Sequence, residues 1–295
     1  MMKGFILKGI AVFLQYLSRA FVSLGIIRPK AIIYMDGGIA SQMLMYLEGQ
    51  YYARQAIVLY DTSWYKRCGK DMDGRFDRIF ELVEMFPHIE FRSINSTKRR
   101  FYKSFFKYSA AKGFLPRKIN RTTYFDGYFE LPPTEFDRLF SMCFRRENLS
   151  RIARSIPSTP NVKNVAVHVR RGDLANRESR WYKAVPLTYF INALNYVKGA
   201  YENIIVWLFS DEPDWVEKYL CPRIDVPANI VRGNKAYEDL ILISECDIVI
   251  ASQGSFGSWG GQLNGNCILI TPSSSLPVGF AVQKLQTLPN SELSS

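Results

Sequence analysis

The sequence predicts an α/β protein of two Rossmann-like domains, and three observations carry that prediction. The chain has 295 residues. Single cores stop growing near ~250–300 residues and common domains hold roughly 100–150, so two domains of similar size are expected. Short apolar runs alternate with helical patterns, which reads as βα units and parallel sheets. Residues 156–164, with two prolines among small polar residues, mark the best boundary in the chain.

In chain order, residues 1–30 carry Lys3, Lys8, Arg19, Arg28 and Lys30 and no acid. At about 100° per residue, Lys8, Gln15 and Arg19 fall on one narrow face of a helix that is otherwise apolar. Four readings are open: a secretory signal, a signal-anchor, an in-plane helix on anionic lipid, and a helix packed on the rest of the protein. Lys8 and Gln15 interrupt the apolar run and no A-x-A site follows, which weighs against the first two. The segment 1–30 is therefore read as basic and amphipathic, with peripheral contact to an anionic membrane expected.

Residues 31–35 read as a buried strand. Asp36-Gly37-Gly38 is a turn signal, and 41–54 has helical character. Strand, glycine turn, helix is how a doubly wound domain opens. Residues 56–60 are the next strand, and 76–86 looks helical up to Pro87. The window 97–121 holds nine basic residues and no acid, with Phe101, Phe105 and Tyr108 on one helical face. It suits base stacking, attraction to lipid headgroups or an acidic acceptor, or a plain solvated face. These elements make an N-terminal domain over 31–155.

The second domain is read over 161–272. Strands are expected at 165–169, 204–209, 230–231, 248–251 and 268–271, with helices at 186–198, 213–220, 237–246 and 255–264. Residues 273–295 are read as a C-terminal tail, frayed at its end.

Composition removes several function classes. At 47% hydrophobic and 22% charged, the chain is neither disordered nor fibrous. Five scattered cysteines without C-x-x-C argue against a disulfide scaffold or a thiolate zinc site, and suit a reducing cytosol. Two histidines almost exclude an imidazole metal centre. A net charge of +11 calls for an anion: nucleic acid, an acidic leaflet or a phosphorylated small molecule. No Walker A and no G-x-G-x-x-G after a strand occurs, so P-loop and dinucleotide readings lose support.

Ligands of open α/β sheets bind beyond the carboxyl ends of the strands. Three such ends are His168-Val169-Arg170-Arg171-Gly172-Asp173, Phe209-Ser210-Asp211-Glu212 and Ala251-Ser252-Gln253-Gly254-Ser255-Phe256. Adjacent guanidiniums after an apolar strand are costly unless an anion is near, and arginine binds phosphate in a bidentate manner. Strand alternation points His168 and Arg170 one way, toward a ligand, and Arg171 the other, toward Asp173 or another carboxylate. A plain ion-pair cluster is the blander alternative. Gly254-Ser255-Phe256-Gly257 opens a helix whose first N–H groups could bind phosphate, or simply be a capped turn.

These segments carry a family resemblance. His168-Val169-Arg170-Arg171-Gly172-Asp173 resembles the H-x-R-R-x-D motif of the fucosyltransferase superfamily. Phe209 through Trp215 is similar to F-S-D-D-x-x-W of the α-1,2-fucosyltransferases of glycosyltransferase family 11. Glu238-Asp239-Leu240 through Ala251, then Ser255-Phe256, Trp259-Gly260 and Leu263, resembles that family's later signature. Gly37-Gly38-Ile39-Ala40-Ser41-Gln42-Met43 is similar to G-G-L-G-N-Q-M, with Ala40 and Ser41 departing from it. Gly257, Ser258 and Gln262 depart from the later signature.

The resemblance implies an α/β, GT-B-like fold: two Rossmann-like domains facing across a cleft, with GDP-β-L-fucose held mainly by the C-terminal one. It implies His168, Arg170, Arg171, Ser210, Asp211, Ser255 and Phe256 as donor-binding residues, with Arg170 on the pyrophosphate. Gly37, Gly38 and Gln42 would line the other wall. Arg170, Asp173 and Asp36 are the catalytic candidates; Asp173 and Asp36 compete for the base, though Asp173 is also suited to orienting an arginine and Asp36 to capping its turn. No metal or other cofactor is implied. The expected activity is inverting transfer of L-fucose to the 2-hydroxyl of a galactose-containing glycan or lipid-linked oligosaccharide, in O-antigen or capsule synthesis. Such a member would be cytoplasmic and peripheral to the inner membrane. The alternatives are another donor sugar or linkage, or a basic nucleic-acid-binding protein; no known nucleic-acid motif supports the last.

Overall fold

Apolar strands covered on both faces pair in parallel, because helices must cross over each face to connect them. In the computed structural model, which describes residues 2–71, 74, 76–108, 113–175, 184–273 and 280–285, such strands form two sheets in two α/β units. The first unit is Met1–Lys70, Asp77–Val83 and His88–Cys143; the second is Asp71–Phe76, Glu84–Pro87 and Phe144–Ser295.

The first sheet holds β1 (Lys30–Tyr34), β2 (Ile57–Asp61), β3 (Lys107–Tyr108) and β4 (Thr123–Phe125) in the order β2-β1-β4-β3, all parallel. Ala31, Ile32 and Ile33 are fully buried at its centre. The helix Ile39–Tyr51 follows β1 directly, two residues earlier than expected, because the glycine turn ends at its N-cap, Gly38.

The second sheet holds β5 (Lys163–Val169), β6 (Ile204–Ser210), β7 (Ala228–Ile230), β8 (Ile248–Ala251), β9 (Ile268–Pro272) and β10 (Phe280–Lys284). Their order is β10-β9-β8-β5-β6-β7, parallel except for β10. Counted from β5 this is the Rossmann order, with the chain leaving β5 first to one side and later to the other. Alternation on β5 sets two cores. Val165, Val167 and Val169 pack with Tyr189, Phe190 and Val197 of the helix Leu187–Ala200. Ala166 faces the opposite way, with Leu242 and Ile243 of the helix Ala236–Ser244.

Five expectations are corrected. The helix expected over 76–86 is only Leu82–Met85. Its start is fixed by buried Gln42, whose Oε1 accepts from the N–H groups of Glu81 and Leu82 while its Nε2 donates to Ile79 O. Tyr108 lies in β3, past the end of the helix Ser96–Phe105, so it does not share a helical face with Phe101 and Phe105. The helix expected over 213–220 is three short turns, Pro213–Trp215, Val216–Leu220 and Cys221–Arg223.

The boundary placed at 156–164 falls inside the second unit, which resumes at Phe144. That stretch is strapped on rather than free: Ile156 N donates to Glu245 Oε2, Asn164 Nδ2 donates to Pro157 O, and Ile152 and Ile156 pack on the core. Finally, part of the expected C-terminal tail is the antiparallel edge strand β10, held by Leu285 N donating to Cys267 O. The terminal Ser-Glu-Leu-Ser-Ser lies outside the described residues.

Candidate active site

The carboxyl ends of β5, β6 and β8 bring the expected strand-end residues to one edge of the second sheet. β5 and β8 are neighbours, with His168 opposite Ala251. Their connections depart to opposite sides, so the crevice beyond them is the topological switch point where open α/β sheets take ligands.

Arg170 stands at that point. Its backbone N–H donates to Ser252 Oγ at 3.1 Å, and Ser252 N donates back to His168 O at 3.0 Å. A Cβ added at Gly254 would lie 3.2 Å from Arg170 Nη1. Gly254 has φ +91°, a backbone conformation that favours glycine, and the absence of a side chain there leaves the guanidinium room beside the backbone. Ser255 follows, exposed, and begins the helix Phe256–Asn264 without a side-chain cap.

Arg171 points away and pairs internally, as alternation requires. Its Nε donates to Glu212 Oε2 at 3.1 Å and its guanidinium lies 3.8 Å from the centroid of Trp215. Among the described residues its carboxylate partner is Glu212. Asp173 is the second residue of the short helix Gly172–Ala175, and its side chain lies outside the described residues.

Asp211 and Ser210 fasten the loop. Asp211 Oδ1 accepts from Arg171 N at 2.9 Å, and a Cβ at Gly172 would stand 2.7 Å from Asp211 Oδ2. Burial raises the Asp211 carboxyl, opposed by these backbone donors and by Arg170. Ser210 Oγ donates to Val169 O at 2.7 Å and accepts from Glu212 N at 3.0 Å, tying β6 to β5. Both residues sit at the expected edge, engaged with backbone.

His168 differs from its expectation. It is 7% exposed, with Nδ1 3.2 Å from Ser252 Oγ and its ring 4.9 Å from that of Phe256. Gly257 makes room for it: a Cβ there would meet Ala251 Cβ at 2.9 Å and His168 Nδ1 at 3.0 Å. Burial, then Arg170, lowers its pKa to about 3, so the ring is neutral. His168 is therefore packed into the strand end against the half-buried Phe256, close enough to Arg170 to feel its charge.

Sequence reasoning passed over other groups here. Gln253 Nε2 is buried without a hydrogen-bond partner among the described residues. Asp239, at the start of the helix after β7, accepts from Asn234 Nδ2 at 2.9 Å, and burial pushes its carboxyl up to about 6. Among the described residues no group of three or more His, Cys, Asp or Glu is placed to hold a metal ion.

The first sheet has its own switch point, between β1 and β4. Asp36 follows β1, and Tyr128, three residues past β4, donates its hydroxyl to Asp36 Oδ1 at 2.5 Å. Gly37 has φ +74°, and a Cβ there would stand 2.8 Å from Ser41 Oγ and 2.9 Å from Tyr128 Oη. A Cβ at Gly38 would lie 3.6 Å from Arg78 Nη1. Burial raises the Asp36 carboxyl; the Tyr128 hydrogen bond works against it. Behind this turn Glu48 is fully buried, accepting from Phe129 N at 3.0 Å, and burial pushes its carboxyl up to about 8. Gln42 is fully buried as well, its amide bonded to the backbone of 79–82.

A model of glycosyl transferase family 11 matches residues 95–276. The alpha-1,2-colitosyltransferase of Escherichia coli is 25% identical over 257 residues, covering 80% of this chain and 88% of that protein. A galactoside 2-alpha-L-fucosyltransferase of Caenorhabditis elegans is 28% identical over 195 residues, covering 61% of this chain and 48% of that protein. Among solved structures, the fucosyltransferase NodZ from Bradyrhizobium superposes with a TM-score of 0.52 at 13% identity, covering 88% of this chain and 99% of that one. This likeness shows the fold, α/β and GT-B-like.

Proposed function

The chain belongs to glycosyl transferase family 11, and from that membership we propose that it moves L-fucose from GDP-β-L-fucose to the 2-hydroxyl of a galactose-type acceptor, with inversion, in surface polysaccharide synthesis. Two kinds of relative support the linkage, since a colitosyltransferase and several galactoside fucosyltransferases carry the 1,2 designation in their names. The donor reading draws on NodZ, an alpha-1,6-fucosyltransferase soaked with GDP-fucose. A second Escherichia coli relative, 26% identical over 110 residues, is an O-antigen biosynthesis glycosyltransferase.

The single observation that carries the chemistry is Arg170 beside Gly254 at the β5–β8 switch point. When the bond from the sugar C1 to the β-phosphate oxygen breaks, its electron pair leaves on the phosphate. A fixed guanidinium and the uncapped N–H groups at Phe256–Asn264 stabilise that growing charge more than they stabilise the intact donor. The acceptor oxygen bonds C1 from the opposite face, and its proton passes to a carboxylate. Asp36 is assigned that role: burial lifts its proton affinity, and Tyr128 holds it in place. No metal or further cofactor enters the proposal.

The test is direct. The protein is incubated with GDP-fucose and a panel of β-galactosides, and the product linkage is mapped by NMR. A fucosyl 1,2 linkage is expected. Transfer only from a GDP-colitose donor would replace the donor half of the proposal, a reading favoured by the colitosyltransferase match. Another linkage would replace the acceptor half.

A further inference from the structure

We propose that the helix Met2–Ser23 lies flat on an anionic lipid surface, apolar side down, and holds the first unit there. The helix is docked on its unit by the side that carries Gln15 and Ser18 together with half-buried Ala11, Leu14 and Val22. Gln15 Nε2 donates to Phe105 O at 2.7 Å, Thr122 N donates to Ser18 Oγ at 3.1 Å, and Ser18 is 7% exposed. The side turned away is apolar: Val12, Phe13 and Tyr16 are 63%, 64% and 72% exposed. Leu24 and Ile26 continue this surface past the helix end. A surface helix of a water-bathed domain is arranged the other way round. A contiguous apolar face of this kind marks a docking surface.

The rim selects the occupant. Lys8 and Arg19 are exposed, three helical turns apart on the border between the two sides. Arg121 lies near enough to Arg19 to feel its charge, with burial the larger influence on it. The helix Ser96–Phe105 packs alongside and carries exposed Lys98 and Arg100. No Asp or Glu occurs within residues 1–35 or 91–125. Lipid phosphates complement such a rim. A second copy of this chain would bring the same positive rim and be repelled. A membrane-crossing pose is opposed by the two hydrogen bonds at mid-helix, which keep the helix against the folded unit; crossing would drag irregular polar backbone into hydrocarbon.

The inference stands apart from the sugar chemistry and is tested without it. The full chain is floated with vesicles of phosphatidylcholine alone and of phosphatidylcholine with phosphatidylglycerol. Binding to the anionic vesicles, release by high salt, and a loss of at least ~10-fold in bound fraction for Phe13→Asp/Tyr16→Asp are expected. Lys8→Glu/Arg19→Glu supplies an independent variant, expected to weaken binding in the same direction. Equal flotation on both vesicles, or none on either, overturns the proposal, as does a variant pair that floats like the parent. Salt-resistant binding would mean an inserted anchor instead. A dimer in light scattering that Phe13→Asp/Tyr16→Asp dissolves, without vesicle binding, would mean a second copy.

Discussion

The Tyr128 hydroxyl donates to Asp36 Oδ1 across 2.5 Å, joining the ends of the two strands that flank the first sheet's switch point. Burial raises the Asp36 carboxyl and this hydrogen bond lowers it. In Tyr128→Phe, burial acts unopposed. A base works only when deprotonated, so the acid limb of the kcat/KM profile is expected to move to higher pH. Asp36→Asn is expected to lower transfer by ~100–10,000-fold while GDP still raises the melting temperature. An acid limb that stays put in Tyr128→Phe would remove Asp36 from the base role.

Arg170→Ala removes the leaving-group contact. Transfer is expected to fall ~100–1000-fold with an unchanged circular dichroism melt. Gly254→Ala attacks the same contact from the opposing backbone, since a methyl would stand 3.2 Å from Arg170 Nη1 at φ +91°. A rise in KM for the donor and a loss of about 1–3 kcal/mol in stability are expected, read from initial rates and urea melts.

Ser252 holds Arg170 without touching the substrate in this reading. Ser252→Ala leaves Arg170 N without its acceptor and His168 Nδ1 without its neighbour. The expected cost is about 1–3 kcal/mol. Ser252→Thr keeps the hydroxyl and is expected to recover more of kcat than Ser252→Ala, which a purely structural role would not require.

Glu48 gives the first unit a pH dependence. Burial pushes its carboxyl in the folded chain up to about 8, from 4.5 for a free glutamate. Between those values the folded chain holds a proton that the unfolded chain has lost, so stability falls as pH rises from 4.5 to 8 and is level above. Each pH unit is worth about 1.4 kcal/mol, which makes the total several kcal/mol. Glu48→Gln keeps an acceptor for Phe129 N and carries no charge. Its melting temperature is expected to match the parent near pH 5 and exceed it at pH 8 and above. A parallel pair of curves would show that Glu48 is not the titrating group.

What could be read from the chain follows burial. β5, β6, β8 and β9 were legible within about two residues because they are apolar on both faces. β3, β4 and β10 were not: two are three residues or shorter, and the last is an edge strand with a mixed sequence. The divergent directions of Arg170 and Arg171 were legible from the period of a strand. The Glu212 and Trp215 partners of Arg171 were not, since they depend on how β6 lies beside β5. The inward seat of His168 depends on a missing side chain at Gly257, 89 positions away and silent until the helix is placed. Tyr128 gave no signal at all, because its contact with Asp36 spans 92 positions.

The second unit draws on Asp71–Phe76 and Glu84–Pro87 as well as everything from Phe144 onward. Phe86 packs on Phe144 at 4.8 Å, Ser150 N donates to Met85 O, and Lys235 reaches Glu84 at 2.7 Å. A gene fragment beginning at 144 would encode a half-finished object, with holes where those two loans from upstream belong. Anyone dissecting this enzyme should graft residues 71–87 back in or leave the chain whole, and during synthesis the ribosome must deliver both early pieces long before their hosts exist.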